Sequence, residues 1–382
     1  MARSAHAYVR GNTLKFYEWL ESSSGKLVPD GPPVWICGDC HLGNLGPLAG
    51  AKGNVKIAIR DLDQTVIGNP AHDLIRLGLS LATAIRGSDL PGVTTALMLE
   101  EMVDGYVGQL VETGKRGKKS ELPPPAVRRI LNQALKRRWH HLAEERIEDV
   151  TPTIPLGKCF WPLSSPEKRE IHGIFNAPEV QSLILSLQTR DHQEHIRVLD
   201  AAYWIKGCSS LGSLRFAVLL GIGKKRNKQF CLIDIKEAVP AAAPRFRDAH
   251  MPRDNARRVV EGARKLSPFL GKRMLPWKFR NNSVVLRELL PQDLKLEMDQ
   301  LTRMEAIAAA RFLASVVGHA HASQMDGKMR EKWRIILSHT RSKTLDAPSW
   351  LWTSVVELVA NHESAYLEHC RQYALENSNR NA

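Results

Sequence analysis

Between residues 34 and 74, short apolar runs alternate with carboxylates and amides that would not be tolerated alone in a core. Val34–Cys37 and Val55–Arg60 read as strands, rich in apolar and β-branched residues. The first runs into Gly38-Asp39, with His41 and Asn44 close behind, and the second into Asp61-Leu62-Asp63. GNPAHDL, residues 68–74, then opens a helix in which Leu74, Leu77, Leu81 and Ile85 recur with helical period. An acidic side chain at the end of a buried strand is costly unless it is paired or binds a metal ion. The fold must therefore gather Asp39, Asn44, Asp61, Asp63 and Asp73, or neutralise each separately. Asp and Asn also favour turns and caps, so the weight lies on the ordered set over 39–74 and not on any single member.

That order suits phosphoryl transfer. One carboxylate, Asp39, would orient and deprotonate an acceptor hydroxyl, while Asn44 and Asp61, with Asp63 assisting, would hold magnesium. Asp73 could accept backbone amides of the Asp39 loop and hold its shape, with His41 as further support. GDCHLGN…RDLDQTVIGNPAHDL resembles the catalytic core of aminoglycoside and choline phosphotransferases, which share the protein-kinase fold. The resemblance implies a catalytic base at Asp39, metal ligands at Asn44 and Asp61, and a loop-bracing aspartate at Asp73. The five-residue step from Asp39 to Asn44 is the kinase spacing. Cys37 and Asn69 depart from that pattern without removing a group the chemistry needs. Replacing Asp39 or Asp61 by alanine is expected to abolish turnover with little change in melting temperature.

A second constellation lies in the strand-rich stretch 202–238. KGCSSLGS, residues 206–213, sits between strand-like runs, and its Gly207, Ser209, Ser210, Gly212 and Ser213 would bring backbone and hydroxyl donors to phosphate oxygens. An ordinary hairpin turn has the same composition. Lys236 ends an apolar strand and needs an anionic partner if it points into a cleft; a lysine with only its stem buried is the alternative. This segment looks like a kinase small lobe, which implies that Lys236 contacts nucleotide phosphates. Glu261, on the helix over about 254–268, would be its ion-pair partner, and Val284–Leu290 the strand entering the adenine-binding hinge. Glu261 can equally be a solvated helix residue.

In kinases this small lobe precedes the catalytic loop; here it follows by about 160 residues. The reading is an α+β, two-lobed protein-kinase-like fold, circularly permuted, with a mostly helical large lobe and a small antiparallel β-sheet lobe. Residues 1–195 and 292–382 form the large lobe and 196–291 the nucleotide-binding lobe. The layout also resembles an uncharacterised bacterial family, domain of unknown function 2252, through YVRGNTLKFY, GDCHLGNLG, the DLDQ region, GCSSLGS, IKEA, RRVVEG, VLREL and GHAHAS.

Composition admits this reading without selecting it. The 382 residues carry 54 Lys and Arg against 40 Asp and Glu, a net charge of +14 that attracts anions of any kind. The basic segment 126–147 reads as one helix that could touch nucleic acid, although Glu144, Glu145, Glu148 and Asp149 follow closely and no nucleic-acid motif accompanies it. Cys37-Gly-Asp-Cys-His41 spells a haem-attachment pattern and contains a CxxC pair, but neither use explains the acidic residues downstream. His319 and His321, two apart on a helix, face different directions and suit packing better than a shared metal. Scattered cysteines, the lack of a signal-like N-terminus and the lack of a long apolar run point to the cytoplasm and no membrane partner. The expected cofactors are ATP and Mg2+, with an unidentified hydroxyl acceptor, most simply a small molecule. A nucleotide-binding pseudo-enzyme, a basic scaffold for protein or nucleic acid, and AMP transfer on the same fold are the alternatives.

Overall fold

Helical and strand-like stretches assemble, in the computed structural model, into an α+β chain of about 52% helix with antiparallel sheets. The structure describes residues 5–22, 24–86, 90–111, 122–147, 153–186, 190, 194–205, 212–223, 229–294, 301–339 and 346–380. The first part supplies α1 (Ala5–Gly11), α2 (Thr13–Glu21), β1 (Val34–Ile36), β2 (Leu45–Ala49), β3 (Val55–Ile59), β4 (Val66–Gly68), α3 (Pro70–Arg86) and α4 (Val93–Val107). β1 pairs with β4 and β2 with β3, as two two-stranded sheets. Pro70 starts α3, where a missing N–H costs nothing. Nearly every residue of α3 is buried, the mark of a core helix.

Then follow α5 (Pro125–Lys136), α6 (Trp139–Ile147), β5 (Phe160–Trp161), α7 (Ser165–Ile174) and α8 (Pro178–Leu185). The basic helix expected over 126–147 is thus two helices. The break is held by side chains: Arg138 Nη1 donates to Leu135 O, at the end of α5, at 3.1 Å, and Arg138 N to His141 Nδ1 at 3.0 Å, giving partners to groups a helix end leaves open.

The strand-rich middle makes one six-stranded antiparallel sheet. Its order is β5, β6 (Ile196–Trp204), β7 (Arg215–Ile222), β8 (Gln229–Glu237), β10 (Asn282–Leu289), β9 (Met274–Phe279). α9 (Asn255–Leu266) and α10 (Pro268–Gly271) lie between β8 and β9 in the chain. Alternation along β8 sends Cys231, Ile233 and Ile235 to one face, against Ile171, Ile174, Val180 and Ile184 of α7 and α8. Leu232 lies on the other face, packed with Leu219, Leu289 and, from α6, Leu142 and Ala143; Asp234 and Lys236 share its side. β5 pairs with β6 in this sheet and α7 and α8 pack on its face, although all three precede residue 196. Pro276 sits in β9, an edge strand, where its lack of a donor is harmless.

After Pro291 come α11 (Arg303–Ala322), α12 (Gly327–His339) and α13 (Ser349–Arg380), which close the largest core with α3, α4 and α9. No helix among the described residues is long and apolar enough to cross a membrane. α4 and α11 meet backbone to backbone: a Cβ at Gly105 would collide with the Arg311 carbonyl, and one at Gly318 would lie 2.8 Å from the Tyr106 carbonyl oxygen. Gly105→Ala is therefore expected to lose about 1–3 kcal/mol in chemical denaturation. Gly173→Ala, which meets open space on α7, should be neutral or stabilising by roughly 0.5–1 kcal/mol.

Candidate functional site

Asp73 and Arg76, three residues apart on one face of α3, both reach the loop between β1 and β2. Asp73 is fully buried. Its carboxylate accepts Cys37 N at 2.7 Å and Gly38 N at 2.9 Å. His321 of α11 lies 3.1 Å from the same carboxylate through Nε2, and its Nδ1 is 2.9 Å from the Tyr106 hydroxyl, which accepts Trp333 Nε1 at 3.2 Å. The Nε2–H tautomer of His321 satisfies this order of donors and acceptors. Gly38 stands at φ 76, a conformation that favours glycine, and its carbonyl accepts the Tyr17 hydroxyl.

Arg76 holds Asp39. Its Nε donates to Asp39 Oδ1 at 3.1 Å, and Nη2 donates to the same oxygen. Oδ2 is left facing His41, whose Nε2 is 3.8 Å away. Burial lowers the His41 pKa to about 4, so its imidazole is neutral at pH 7. Asn44 Nδ2 donates to the Asp39 carbonyl at 2.9 Å, which leaves its amide oxygen as the outward acceptor. Arg60 N donates to the Asn44 carbonyl at 2.7 Å, bringing Asn44 beside the strand end that carries Asp61.

Asp61 and Asp63 leave β3 facing β8. Lys236 ion-pairs with Asp63 across 173 residues of sequence. Asp61 is exposed at the cleft mouth but crowded by charge. Dense surroundings raise its pKa, and Lys236, Arg287 and Arg215 outweigh that and hold it below the ordinary carboxylate range. Arg215 in turn forks onto Asp234 at 2.8 and 2.5 Å. These side chains line a cavity of about 60 Å³, room for a few waters. Among the described residues no group of three or more His, Cys, Asp or Glu is arranged to hold a metal. Asp61 with the Asn44 amide oxygen is a sparser oxygen set, of the kind magnesium takes when waters and phosphates complete its shell.

Other expected residues are placed differently. Glu261 is exposed on α9, with Arg257, Arg264 and Lys265, and makes no ion pair with Lys236. The reason is helical period: Ala256, Val259, Val260 and Ala263 form the buried face, and position 261 lies opposite. The inward charge on α9 is Arg258, which donates to the carbonyls of Asp63 at 3.1 Å, Val239 at 2.9 Å, and Thr65. Burial lowers its pKa to about 10. Arg76 and Arg258 are thus among the candidate-site residues that sequence reasoning missed. Each is an arginine within a buried helical run, a signal that a partner is needed but not of which one.

Gly207, Ser209 and Ser210 lie outside the described residues; Gly212 and Ser213 follow, with Gly212 at φ 81. The hinge-like segment after β10 is already engaged, since Pro291 O accepts Arg137 Nε at 2.6 Å and Gln292 Nε2 donates to Arg137 O at 3.3 Å. Cys37 and Cys40 are both free and buried, and Cys37 Sγ lies 3.5 Å from the Asp61 carbonyl.

Asp39→Ala would leave the buried Arg76 guanidinium without its carboxylate. A loss of about 3–5 kcal/mol is expected in chemical denaturation, so this variant, contrary to the simple expectation, is not thermally silent. Asp61→Ala, at the cleft mouth, should change stability by less than about 1 kcal/mol. A pH dependence also follows. His41, His72 and His362 are buried, and burial lowers each pKa to about 4, against about 6.5 in an unfolded chain. The unfolded state binds more protons between these values, so stability should fall as pH drops from about 6.5 towards 4, the loss levelling below. Denaturation midpoints at pH 7 and 5 check the sign, and the double variant His72→Gln, His362→Gln should flatten the slope.

A family model described as an uncharacterized protein conserved in bacteria, domain of unknown function 2252, matches residues 1–372. No curated protein and no solved structure matches the chain. With nearly its whole length matched, the chain that carries this cleft belongs to the domain of unknown function 2252 family.

Proposed function

We propose that the chain is an ATP- and Mg2+-dependent phosphotransferase of kinase-like fold, with its two lobes in permuted order, acting on a hydroxyl of a small molecule. The observation that carries the reading is the meeting of Lys236 with Asp61 and Asp63 across a cleft. Nothing in local sequence obliges residues so far apart to converge. The order of β6, β7, the lysine strand β8, α9 and the β9–β10 hairpin supports a kinase small lobe. The Asp39 loop, braced by Asp73, supports a catalytic loop.

In this reading Arg76 occupies Asp39 Oδ1, so Oδ2 is the atom that orients the acceptor hydroxyl. Asp61 and the Asn44 amide oxygen would hold magnesium, which when bound neutralises charge on the transferring phosphoryl group. Lys236 would exchange Asp63 for a phosphate oxygen. Positioning and charge neutralisation supply the rate.

One observation favours a second reading. The sheet face beyond Lys236, where a base would stack, is covered by Leu142 and Ala143 of α6, and the cleft of about 60 Å³ admits phosphate oxygens but not a nucleoside. A scaffold that acts through its basic surface needs no opening of this cleft; a transferase needs α6 to yield.

Thermal-shift titrations separate the two. Mg-ATP is expected to stabilise the wild-type chain, ATP without magnesium much less, and Lys236→Met should lose the response. Asp61→Asn should reduce turnover on the order of 10²–10³-fold or more. Product mass then tells phosphoryl from adenylyl transfer. Polyanion binding that falls steeply with salt and ignores magnesium would instead support the scaffold.

A further inference from the structure

Against the Asp39 loop the fold keeps a cation that has no ion-pair partner among the described residues. Arg10 closes the short helix α1, whose last turn is fastened to the candidate catalytic loop: Arg76 Nη2, which holds Asp39, also donates to the Val9 carbonyl at 3.3 Å. The next side chain, Arg10, lies against Gly43 of that loop. A Cβ at Gly43 would come within 2.7 Å of Arg10 Cζ and 2.8 Å of its Nε and Nη2. Only a residue without a side chain lets the guanidinium settle there. Its Nε is buried and makes no hydrogen bond, and the side chain forms no ion pair with any described residue. Arg10 shares this neighbourhood with Asp39, Arg76 and Asp61, all of which act electrostatically on His41. Asp39 gives Oδ1 to Arg76, and no carboxylate among the described residues lies within ion-pair distance of Arg10.

A half-buried guanidinium whose Nε is enclosed without a hydrogen bond carries an uncompensated charge, and its outer N–H groups remain to meet an anion. Its fork of N–H donors matches a carboxylate or phosphate two bonds at a time. We propose that Arg10 anchors an anionic group, phosphate or carboxylate, on the hydroxyl acceptor. The substrates are then acidic alcohols. Choline and aminosugars, the acceptors suggested by the resemblance in the catalytic motif, are cations and would meet like charge here. This inference rests on the transferase reading for the word acceptor; the anion site itself stands on Arg10 and Gly43 alone.

The test uses the full chain and calorimetric titration with glycerol 3-phosphate, glycerate, inorganic phosphate, glycerol and choline. The three anions are expected to bind saturably, and glycerol and choline not to. Arg10→Gln should weaken the anions at least about tenfold, equal to about 1.4 kcal/mol, with Arg10→Lys intermediate. Gly43→Ala keeps the charge but displaces the guanidinium, and should show the same loss even if Arg10→Gln folds poorly. Equal anion affinity in wild type, Arg10→Gln and Gly43→Ala would overturn the proposal, as would no binding of any anion. Anion binding through Arg10 in a chain that ignores Mg-ATP would keep the anion site and remove the transferase reading. A chain that answers Mg-ATP but binds no anion through Arg10 would do the reverse.

Discussion

Helix α3 carries a carboxylate and a guanidinium into the fully buried interior, and the loop from Cys37 to Asn44 takes its shape from them. Asp73 satisfies two successive backbone amides that would otherwise be orphans, and Arg76 pins the side chain of Asp39. Both charges are out of water, so each is tolerable only with its partner in place. That mutual dependence makes the loop stiff. His321, Tyr106 and Trp333 extend the bracing into α11, α4 and α12, so the loop geometry is tied to the packing of the whole helical core. A site that must hold a hydroxyl in one orientation benefits from such rigidity.

The cleft across from that loop is organised by charge balance. Lys236, Arg215, Arg287 and Arg60 line it with Asp61, Asp63 and Asp234. Most of these find each other: Arg215 with Asp234, Lys236 with Asp63. Asp61 is the carboxylate left at the mouth in a field of cations, and it is the group best placed to trade water for a metal ion or to lose ground to an incoming phosphate. Arg258 ties this arrangement to α9 through the carbonyls of Asp63 and Thr65. The closed cleft and the cover of α6 describe one state of the molecule, and catalysis in the proposed manner requires another.

Legibility in the sequence followed a physical divide. Where an acid stands at a helix start after Asn-Pro and before an apolar run, as Asp73 does, burial and a backbone partner can be read directly. The strand ending in Lys236 was readable because its alternation and its terminal charge conflict unless a cleft is present. The coarse α+β class was readable from the switch in period near residue 196. Arg76 as the partner of Asp39 was not, because an ion pair joining residues 37 apart depends on how α3 meets the loop. Glu261 was misplaced because a kinase-like pairing was imposed on a helix whose own period turns that residue outward. The role of α6 was hidden for a third reason: WHHLAEERI has little amphipathic signal, and only the sheet it covers reveals which face is in.

The most direct measurement is a crystal structure of the full chain with Mg2+ and a non-hydrolysable ATP analogue. The expected result is a metal between Asp61 and the Asn44 amide oxygen, a phosphate oxygen on Lys236 with its bond to Asp63 released, and α6 moved off the sheet. A nucleotide bound elsewhere, with Lys236 still paired to Asp63 and α6 in place, would contradict the central claim.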